Sequence, residues 1–224
     1  MSPDLRLRLF NAIEGGSQFW SEEFIKFGPA ELIDRIEHGF YDGQKKSALR
    51  IKENLLNNSV AELWDEINSA GARFLSPESD EWPPLVNDLI APPFGLIIKG
   101  SVLPKRAVAI VGTRNPTTYG ARIASEFASG FADRDWAVIS GGAYGIGTHA
   151  HRGSIAAEGV TCAVLASGVA VNYPSGNEKL FLEIQESGAL ISEVMPNVRA
   201  RPERFLTRNR LIAALSLGTI VVEA

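Results

Sequence analysis

Arginines are concentrated in one short segment near the C-terminal end of the sequence. Residues 196–211 contain five of them and a single acid, Glu203. A guanidinium group can form paired hydrogen bonds with phosphate oxygens, and it keeps its charge throughout the physiological pH range. The sequence therefore offers Arg208, Asn209 and Arg210 as candidate phosphate ligands.

In a helix these side chains do not all face the same way. Arg204 and Arg208 are four residues apart and share a face, whereas Arg210 lies about 160° round the axis from Arg208. Two other interpretations of the segment stay open. It can be a solvated basic face, or one arginine can cap buried carbonyl groups or pair with Glu193 or Glu223.

Two earlier segments place glycines beside polar groups. Gly112, Thr113 and Arg114 follow an apolar run, and they offer an open backbone, a hydroxyl and a guanidinium. Residues 140–147 have the sequence Ser-Gly-Gly-Ala-Tyr-Gly-Ile-Gly, whose glycine content indicates a ligand-binding surface made of backbone. For both segments the alternative is a close-packed turn without a ligand. The candidate ligands of the second segment are Ser140, Gly141, Gly142, Tyr144 and Gly145.

A predicted helix that begins near Thr148 follows this second segment. The N–H groups and the dipole at the start of a helix stabilise an anion, and an exposed Tyr144 can stack on a base. The segment matches neither the dinucleotide-binding Gly-x-Gly-x-x-Gly pattern nor a Walker loop. Together with the arginines, these segments predict a site for a phosphate-bearing ligand, and they favour nucleic acid.

A further candidate group surrounds Pro174. Tyr173 precedes this proline, and Asn177 is a predicted N-cap for the helix that carries Lys179. A lysine in the first turn of a helix is unfavourable for the helix dipole unless it meets an anion. Tyr173, Asn177 and Lys179 are therefore candidate ligands, although a solvated lysine is an equal alternative.

The candidate residues favour binding over catalysis. No nucleophile lies beside a base in a known pattern, and the glycine segments contain no carboxylate pair. His149 and His151 are two residues apart, whereas a metal-binding pair on a helix is three or four apart. We therefore predict no catalytic residue, no metal and no cofactor. Cys162 lies in an apolar run and is predicted to be a buried small residue.

Alternation of short apolar runs with helical patterns predicts the elements that position these residues. We expect an α/β fold, namely a Rossmann-like, doubly wound, mostly parallel sheet preceded by a small all-helical domain. In such a sheet, ligands bind at the carboxyl ends of the strands, where every candidate segment falls. The predicted strands are 107–111, 137–139, 160–165, 189–191 and 219–222, and the predicted helices are 119–132, 148–158, 177–186 and 203–215.

Three domain regions follow from these patterns. Residues 1–70 form a predicted helical accessory domain, with a capping box at Ser59 and Glu62. Residues 71–100 are rich in proline and form a predicted connecting segment with a first strand at 94–98. Residues 101–224 form the predicted Rossmann-like domain.

Charge is distributed unevenly between the two halves of the sequence. The net charge is −4, yet residues 101–224 carry 12 Lys and Arg against 10 Asp and Glu, and residues 1–100 carry 10 against 16. A polyanion should therefore favour the second half. No apolar stretch is long enough for a transmembrane helix, and the first residues lack the layout of a signal peptide, so we expect a cytoplasmic protein.

The order of these motifs resembles the DNA-processing protein A (DprA/Smf) family over about residues 73–224. The chain departs from the family pattern at Gly147, Ser175 and Leu206. The family continues beyond the last predicted strand, so its domain is expected to be incomplete here at the C-terminus. The motifs that carry the resemblance are Val111-Gly112-Thr113-Arg114, residues 140–146, His151, Tyr173-Pro174 with Asn177, Ser192-Glu193, Phe205 with residues 208–213, and residues 221–224.

The resemblance implies a bacterial cytoplasmic protein that binds single-stranded DNA entering by natural transformation. Such proteins protect the strand, help to load the RecA recombinase onto it, and act as homodimers through the Rossmann-like domain. Family DNA-binding positions correspond to Arg114, the Tyr173-Pro174 corner, the glycine loop and the segment Arg208–Arg210.

Two alternatives come from other functional classes. Rossmann-like phosphoribohydrolases also use a Gly-Gly-x-x-Gly-Thr loop, but a catalytic glutamate follows it, whereas here His149 and His151 follow and the first acid is Glu158. The second alternative is a nucleotide sensor with a small-molecule ligand.

Overall fold

Helices form the first part of the chain. The structure is a computed structural model and describes residues 3–101 and 103–224. Ser59 Oγ accepts a hydrogen bond from the Glu62 N–H, and the Glu62 carboxylate accepts one from the Ser59 N–H, so the predicted capping box is confirmed. The helices of this part are α1 (Pro3–Ala12), α2 (Gln18–Glu37), α3 (Lys45–Asn57) and α4 (Val60–Ser69).

The described residues of the remaining chain contain one seven-stranded sheet in the order β1-β2-β6-β5-β4-β3-β7. The five strands from β6 to β7 in this order pair in parallel, while β1 and β2 join antiparallel at the other edge. The predicted α/β fold with a mostly parallel sheet is therefore confirmed. The strands are β1 (Arg73–Leu75), β2 (Leu96–Gly100), β3 (Ala107–Val111), β4 (Ala137–Gly141), β5 (Thr161–Leu165), β6 (Ala189–Ser192) and β7 (Thr219–Val221).

Helices cover both faces of the parallel strands, because the buried side chains of each strand alternate between two clusters. Val108 and Ile110 of β3 pack with α5 (Thr118–Ala132) and α6 (Ile146–Ala156). Ala107 and Ala109 pack with α8 (Pro202–Ala214) on the other face. A further helix, α7 (Glu178–Ser187), packs against β5 and β6.

The strand order reverses at β3. The chain moves from β3 through β4 and β5 to β6 in one direction, and then α8 crosses the sheet to place β7 on the opposite side of β3. Parallel α/β sheets open a crevice at such a reversal, outside the carboxyl ends of the strands. The topology therefore places a crevice next to Gly112, where β3 ends.

Several element boundaries differ from the sequence prediction, two of them by two residues or more next to a turn or a proline-rich segment. β1 was not predicted, because it has only three residues and borders a proline-rich segment, and the strand expected at 94–98 is β2 at Leu96–Gly100. Helix α6 begins at Ile146 rather than near Thr148, since Gly145 turns the chain with φ +84° directly before it.

Side chains of α1–α4 share one buried cluster with Phe94, Ile97 and Met195. The division into domains stays a prediction.

Candidate nucleic-acid interface

A cleft of about 440 Å³ opens at the carboxyl ends of β3 and β4, beside α8. Two cationic side chains line it, and no acidic one does among the described residues. Seven of the lining residues are predicted ligands, namely Gly112, Arg114, Ser140, Gly141, Tyr144, Arg208 and Asn209. The other lining residues are Val111, Ala143, Gly147, Ile212, Ala213 and Thr219.

Arg208 forms the buried wall of the cleft. Its side chain leaves α8, passes Gly141 and donates through Nη1 to the Val164 carbonyl oxygen, which confirms the prediction that one arginine caps a buried carbonyl. Its Nε is buried and has no hydrogen-bond partner among the described residues. Burial, and then the charge of Arg114, lower the pKa of Arg208 to about 10. No acidic side chain of the described residues lines the cleft, so the guanidinium has no counter-charge there.

The Phe205 ring packs against both cations of the cleft and against the Tyr173 ring. The guanidinium carbon of Arg114 lies 5.0 Å from the centre of the Phe205 ring, and that of Arg208 lies 6.0 Å from it. The Tyr173 ring meets Phe205 edge to face at 5.6 Å. Tyr173 and Tyr144 are 50% and 51% exposed. Both tyrosine rings thus keep an exposed half that can stack on a base near the two cations.

The corners after β3 and β4 touch each other. The Ile146 N–H donates to the Thr113 carbonyl oxygen at 3.1 Å, and a Cβ on Gly145 would lie 2.3 Å from the same oxygen. The Thr113 N–H donates to the Glu223 carbonyl oxygen, and Thr113 Oγ1 accepts from the Asn115 N–H. Thr113 and Gly145 therefore hold the two corners together and do not line the cleft.

Gly142 of the glycine corner (residues 140–147) and Asn177 do not line the cleft. The buried Asn177 Nδ2 donates to the Gly142 carbonyl oxygen and to Thr148 Oγ1, both at 3.0 Å. Asn177 stands at the N-cap position of α7, as predicted, but its side chain accepts no capping hydrogen bond. A Cβ on Gly142 would meet the Phe181 ring, so Gly142 faces α7. Lys179 is exposed in the first turn of α7 and does not line the cleft.

Arg210 points away from the cleft, as its helical position predicts. Its Nη2 contacts both carboxylate oxygens of Glu193, which confirms the predicted pairing with that residue. Burial raises the pKa of Glu193 to about 7, although Arg210 opposes the shift. The structure thus separates Arg210 from Arg208 and Asn209, and Arg210 is engaged with an acid.

The part of the chain that carries the cleft matches a known protein family. The family model described as DNA recombination-mediator protein A matches residues 73–224. The chain belongs to this family. The match covers the sheet, the cleft and all the residues that line it.

Relatives of the DNA recombination-mediator protein A family support the assignment. A putative DNA processing protein DprA from Mycobacterium tuberculosis is 38% identical over an alignment of 213 residues, and the alignment covers 88% of this chain and 54% of that protein. DprA from Bacillus subtilis is 32% identical over 184 residues, covering 78% of this chain and 62% of the relative. The chain spans about half the length of the first of these relatives.

Solved structures agree with the fold. The X-ray structure of DprA from Streptococcus pneumoniae has a TM-score of 0.77 at 25% identity and covers 96% of this chain and 75% of that one. A structure of DNA processing protein A from Helicobacter pylori, which concerns its single-stranded DNA binding mode, has a TM-score of 0.60 at 29% identity and covers 68% and 70% of the two chains.

Sequence reasoning did not name Phe205 as a site residue. The available signal was its place in the family motif, three residues before Arg208 and therefore on the same side of a helix.

Cys162 is buried as predicted, and burial raises the pKa of its thiol to about 12. Within residues 3–101 and 103–224, no three His, Cys, Asp or Glu side chains are grouped to hold a metal ion. No helix in that part is long and apolar enough to cross a membrane.

Proposed function

We propose that this member of the family binds single-stranded DNA without sequence preference. The observation that carries the proposal is the cleft at the strand-order reversal, which Arg114 and Arg208 line without a lining acid among the described residues. A phosphate between the two guanidinium groups would offset both the burial of Arg208 and the charge of Arg114, which together lower the pKa of Arg208. The Helicobacter pylori structure concerned with single-stranded DNA supports the choice of ligand.

The lack of sequence preference follows from the kind of contacts offered. Phosphate contacts carry no base identity, and stacking on Tyr144 or Tyr173 accepts every base. A protein of this kind protects incoming DNA and, with RecA as partner, helps to load the recombinase in natural transformation. Action as a homodimer and a cytoplasmic location, which the family resemblance implies, complete the proposal.

Arg114→Ala tests the role of the cleft. We expect binding to single strands of any sequence to weaken by roughly 1–3 kcal/mol, since a charged hydrogen bond is lost. The slope of log affinity against log salt should become shallower by about 0.7. Fluorescence anisotropy over a salt series measures both quantities. Arg134→Ala is the matched control, because Arg134 is exposed after the end of α5 and lies outside the cleft. Unchanged affinity of Arg114→Ala at low salt would remove Arg114 from the site.

Ligand length separates DNA binding from the alternatives. A single-strand binder should prefer an oligonucleotide of about 20 residues to a single nucleotide, because the longer ligand contacts more phosphates. Equal affinity per site would indicate a nucleotide sensor. Release of free base from a nucleoside monophosphate would indicate a phosphoribohydrolase, although no carboxylate lines the cleft among the described residues to act as its acid or base.

A further inference from the structure

A second basic groove lies between the helical part of the chain and α8. Two neighbouring cavities of about 250 and 280 Å³ form it, and Glu14, Arg50, Arg201 and Arg204 line both. We call these cavities the junction groove. It is a space distinct from the cleft, and its shared lining includes Arg50 of helix α3 and Glu14 of the segment after α1.

The arginines of the junction groove outnumber the partners they have. Arg204 pairs with the Glu14 carboxylate. Arg50 and Arg201 form no side-chain hydrogen bond or ion pair with any described residue, although both lie close enough to act on Glu14. Burial alone would raise the pKa of Glu14, but Arg204, Arg201 and Arg50 hold it below its ordinary value. After Glu14 is engaged by Arg204, two guanidinium groups remain free to meet an anion.

The junction groove is continuous with the cleft through Arg208, which lines the cleft and the 250 Å³ cavity. Arg201 directly precedes α8 and Arg208 is seven residues later, so the two are about 10 Å apart along the helix axis. At its other end, Arg50 also lines a surface groove on α3 with Lys45 and Lys46. Cations thus follow one another from the cleft, along the start of α8, to α3.

The acids that face this path do not cancel it. Glu203 lines the 250 Å³ cavity and Glu53 lines the groove on α3, while Glu193 is engaged by Arg210. Against Glu53 and Glu203 stand four cations without an ion pair among the described residues, namely Lys45, Lys46, Arg50 and Arg201. The surplus of positive charge suits a ligand that carries several phosphates at intervals.

We propose that the junction groove is a second phosphate subsite for the same single strand, so that the helical part of the chain takes part in binding. The inference rests on the proposed function and extends it. A short oligonucleotide occupies the cleft alone. A longer one continues past Arg208 and places further phosphates against Arg201 and Arg50. Length dependence of affinity is then a property of these two residues.

The double variant Arg50→Ala/Arg201→Ala tests the subsite with thymidine oligonucleotides of about 6 and about 20 residues. Both side chains are exposed, so the fold should be retained, which thermal denaturation checks. We expect binding of the longer strand to weaken about tenfold, the sum for two exposed ion pairs. Its salt slope should become shallower by about 1.4. Binding of the shorter strand should not change. Lys105→Ala/Arg134→Ala removes the same charge elsewhere and is the matched control.

The outcomes separate this inference from the proposed function. If the wild-type chain binds both strands and Arg114→Ala weakens both, but Arg50→Ala/Arg201→Ala leaves the longer strand unaffected, the subsite is wrong and the cleft stands. An equal loss for the short and the long strand would also overturn the subsite, because the groove would then not be separate from the cleft. If the wild-type chain binds neither strand, the proposed function fails and the subsite with it.

Discussion

Arg208 contributes to the packing of α8 and to the charge of the cleft. Its side chain is 8% exposed and reaches the Val164 carbonyl oxygen across the end of the sheet. A buried cation is costly unless it is paired, and no carboxylate contacts this one among the described residues. An anionic ligand would supply the missing counter-charge. Ligand binding and the stability of this corner should therefore be coupled.

The absence of a side chain at Gly141 is a condition for this position of Arg208. A Cβ on Gly141 would lie 2.5–2.7 Å from the guanidinium atoms of Arg208. Gly141→Ala should therefore displace the guanidinium from the cleft wall. We expect affinity for single-stranded DNA to fall about tenfold, and the free energy of unfolding to fall by about 1–3 kcal/mol as in overpacked sites. Anisotropy and urea denaturation measure the two effects.

Gly130→Ala is the control for this substitution. Gly130 lies inside α5, and a Cβ there would meet only Arg134 Nη1 at 3.8 Å. Alanine favours a helix over glycine by about 1 kcal/mol, so this variant should be stabilised and should bind DNA as the wild type does. Wild-type affinity in Gly141→Ala would show that binding does not need the guanidinium of Arg208 where it lies.

At the scale of elements, a buried histidine joins α6 to the sheet. Thr161 Oγ1 donates to the Val138 carbonyl oxygen at 2.8 Å, so the threonine has no second proton to give. His151 Nδ1 lies 2.7 Å from Thr161 Oγ1. Because the threonine proton is already used, Nδ1 is the donor of the hydrogen bond between His151 and Thr161. Burial, and then the charge of Arg208, lower the pKa of His151 to about 3. The folded protein holds this imidazole neutral.

Acid should therefore act against the α6–sheet contact. The unfolded chain protonates His151 below its ordinary pKa of about 6.5, whereas the folded chain does so only near 3. The unfolded state thus binds more protons between these values, and stability falls as the pH falls through this window. We expect a loss of about 2 kcal/mol from pH 6.5 to pH 5 relative to His151→Gln. Urea denaturation of both proteins over a pH series measures it, and parallel profiles would contradict the assignment.

Apolar runs alternating with helical patterns were sufficient to predict the parallel strands and the edge of the sheet that carries the site. Val108 and Ile110 are buried on one face and Ala107 and Ala109 on the other, so every residue of the strand had to be apolar. Such a run is typical of a strand covered on both faces. Ligands bind such sheets at the carboxyl ends of the strands. The corners after β3 and β4 and the Tyr173-Pro174 corner could therefore be placed at one edge of the sheet without coordinates.

The direction in which each corner residue faces could not be predicted. Gly142 and Gly141 are neighbours, yet one faces α7 and the other faces Arg208. Asn177 donates to a carbonyl oxygen 35 residues away, and Arg208 donates to one 44 residues away. Local patterns do not contain these distant partners. The helical spacing of Arg208 and Arg210 did predict that only one of them could face the cleft.

At the scale of the whole molecule, the helical part and the sheet share a core. The Phe24 ring meets Phe94 edge to face at 5.0 Å, and the Phe10 ring meets Phe74 at 5.2 Å. Arg6 donates to the Phe94 carbonyl oxygen, in the segment before β2. These contacts join α1 and α2 to the antiparallel edge of the sheet. Neither part can unfold without exposing apolar side chains of the other.

We therefore expect the two parts to unfold in one transition. Two single-tryptophan variants report on them separately. One keeps only Trp20 in α2, the other keeps only Trp136 before β4, and phenylalanine replaces the remaining tryptophans. Both signals should give the same urea midpoint. Phe94→Ala should lower the free energy of unfolding by about 3–5 kcal/mol, because it opens a cavity between the parts. Both urea midpoints should therefore fall together. Phe127→Ala, at a position 44% exposed on α5, is the control and should change little. An earlier transition for Trp20 alone would mean that the helical part unfolds independently, and the junction groove would then open before the cleft.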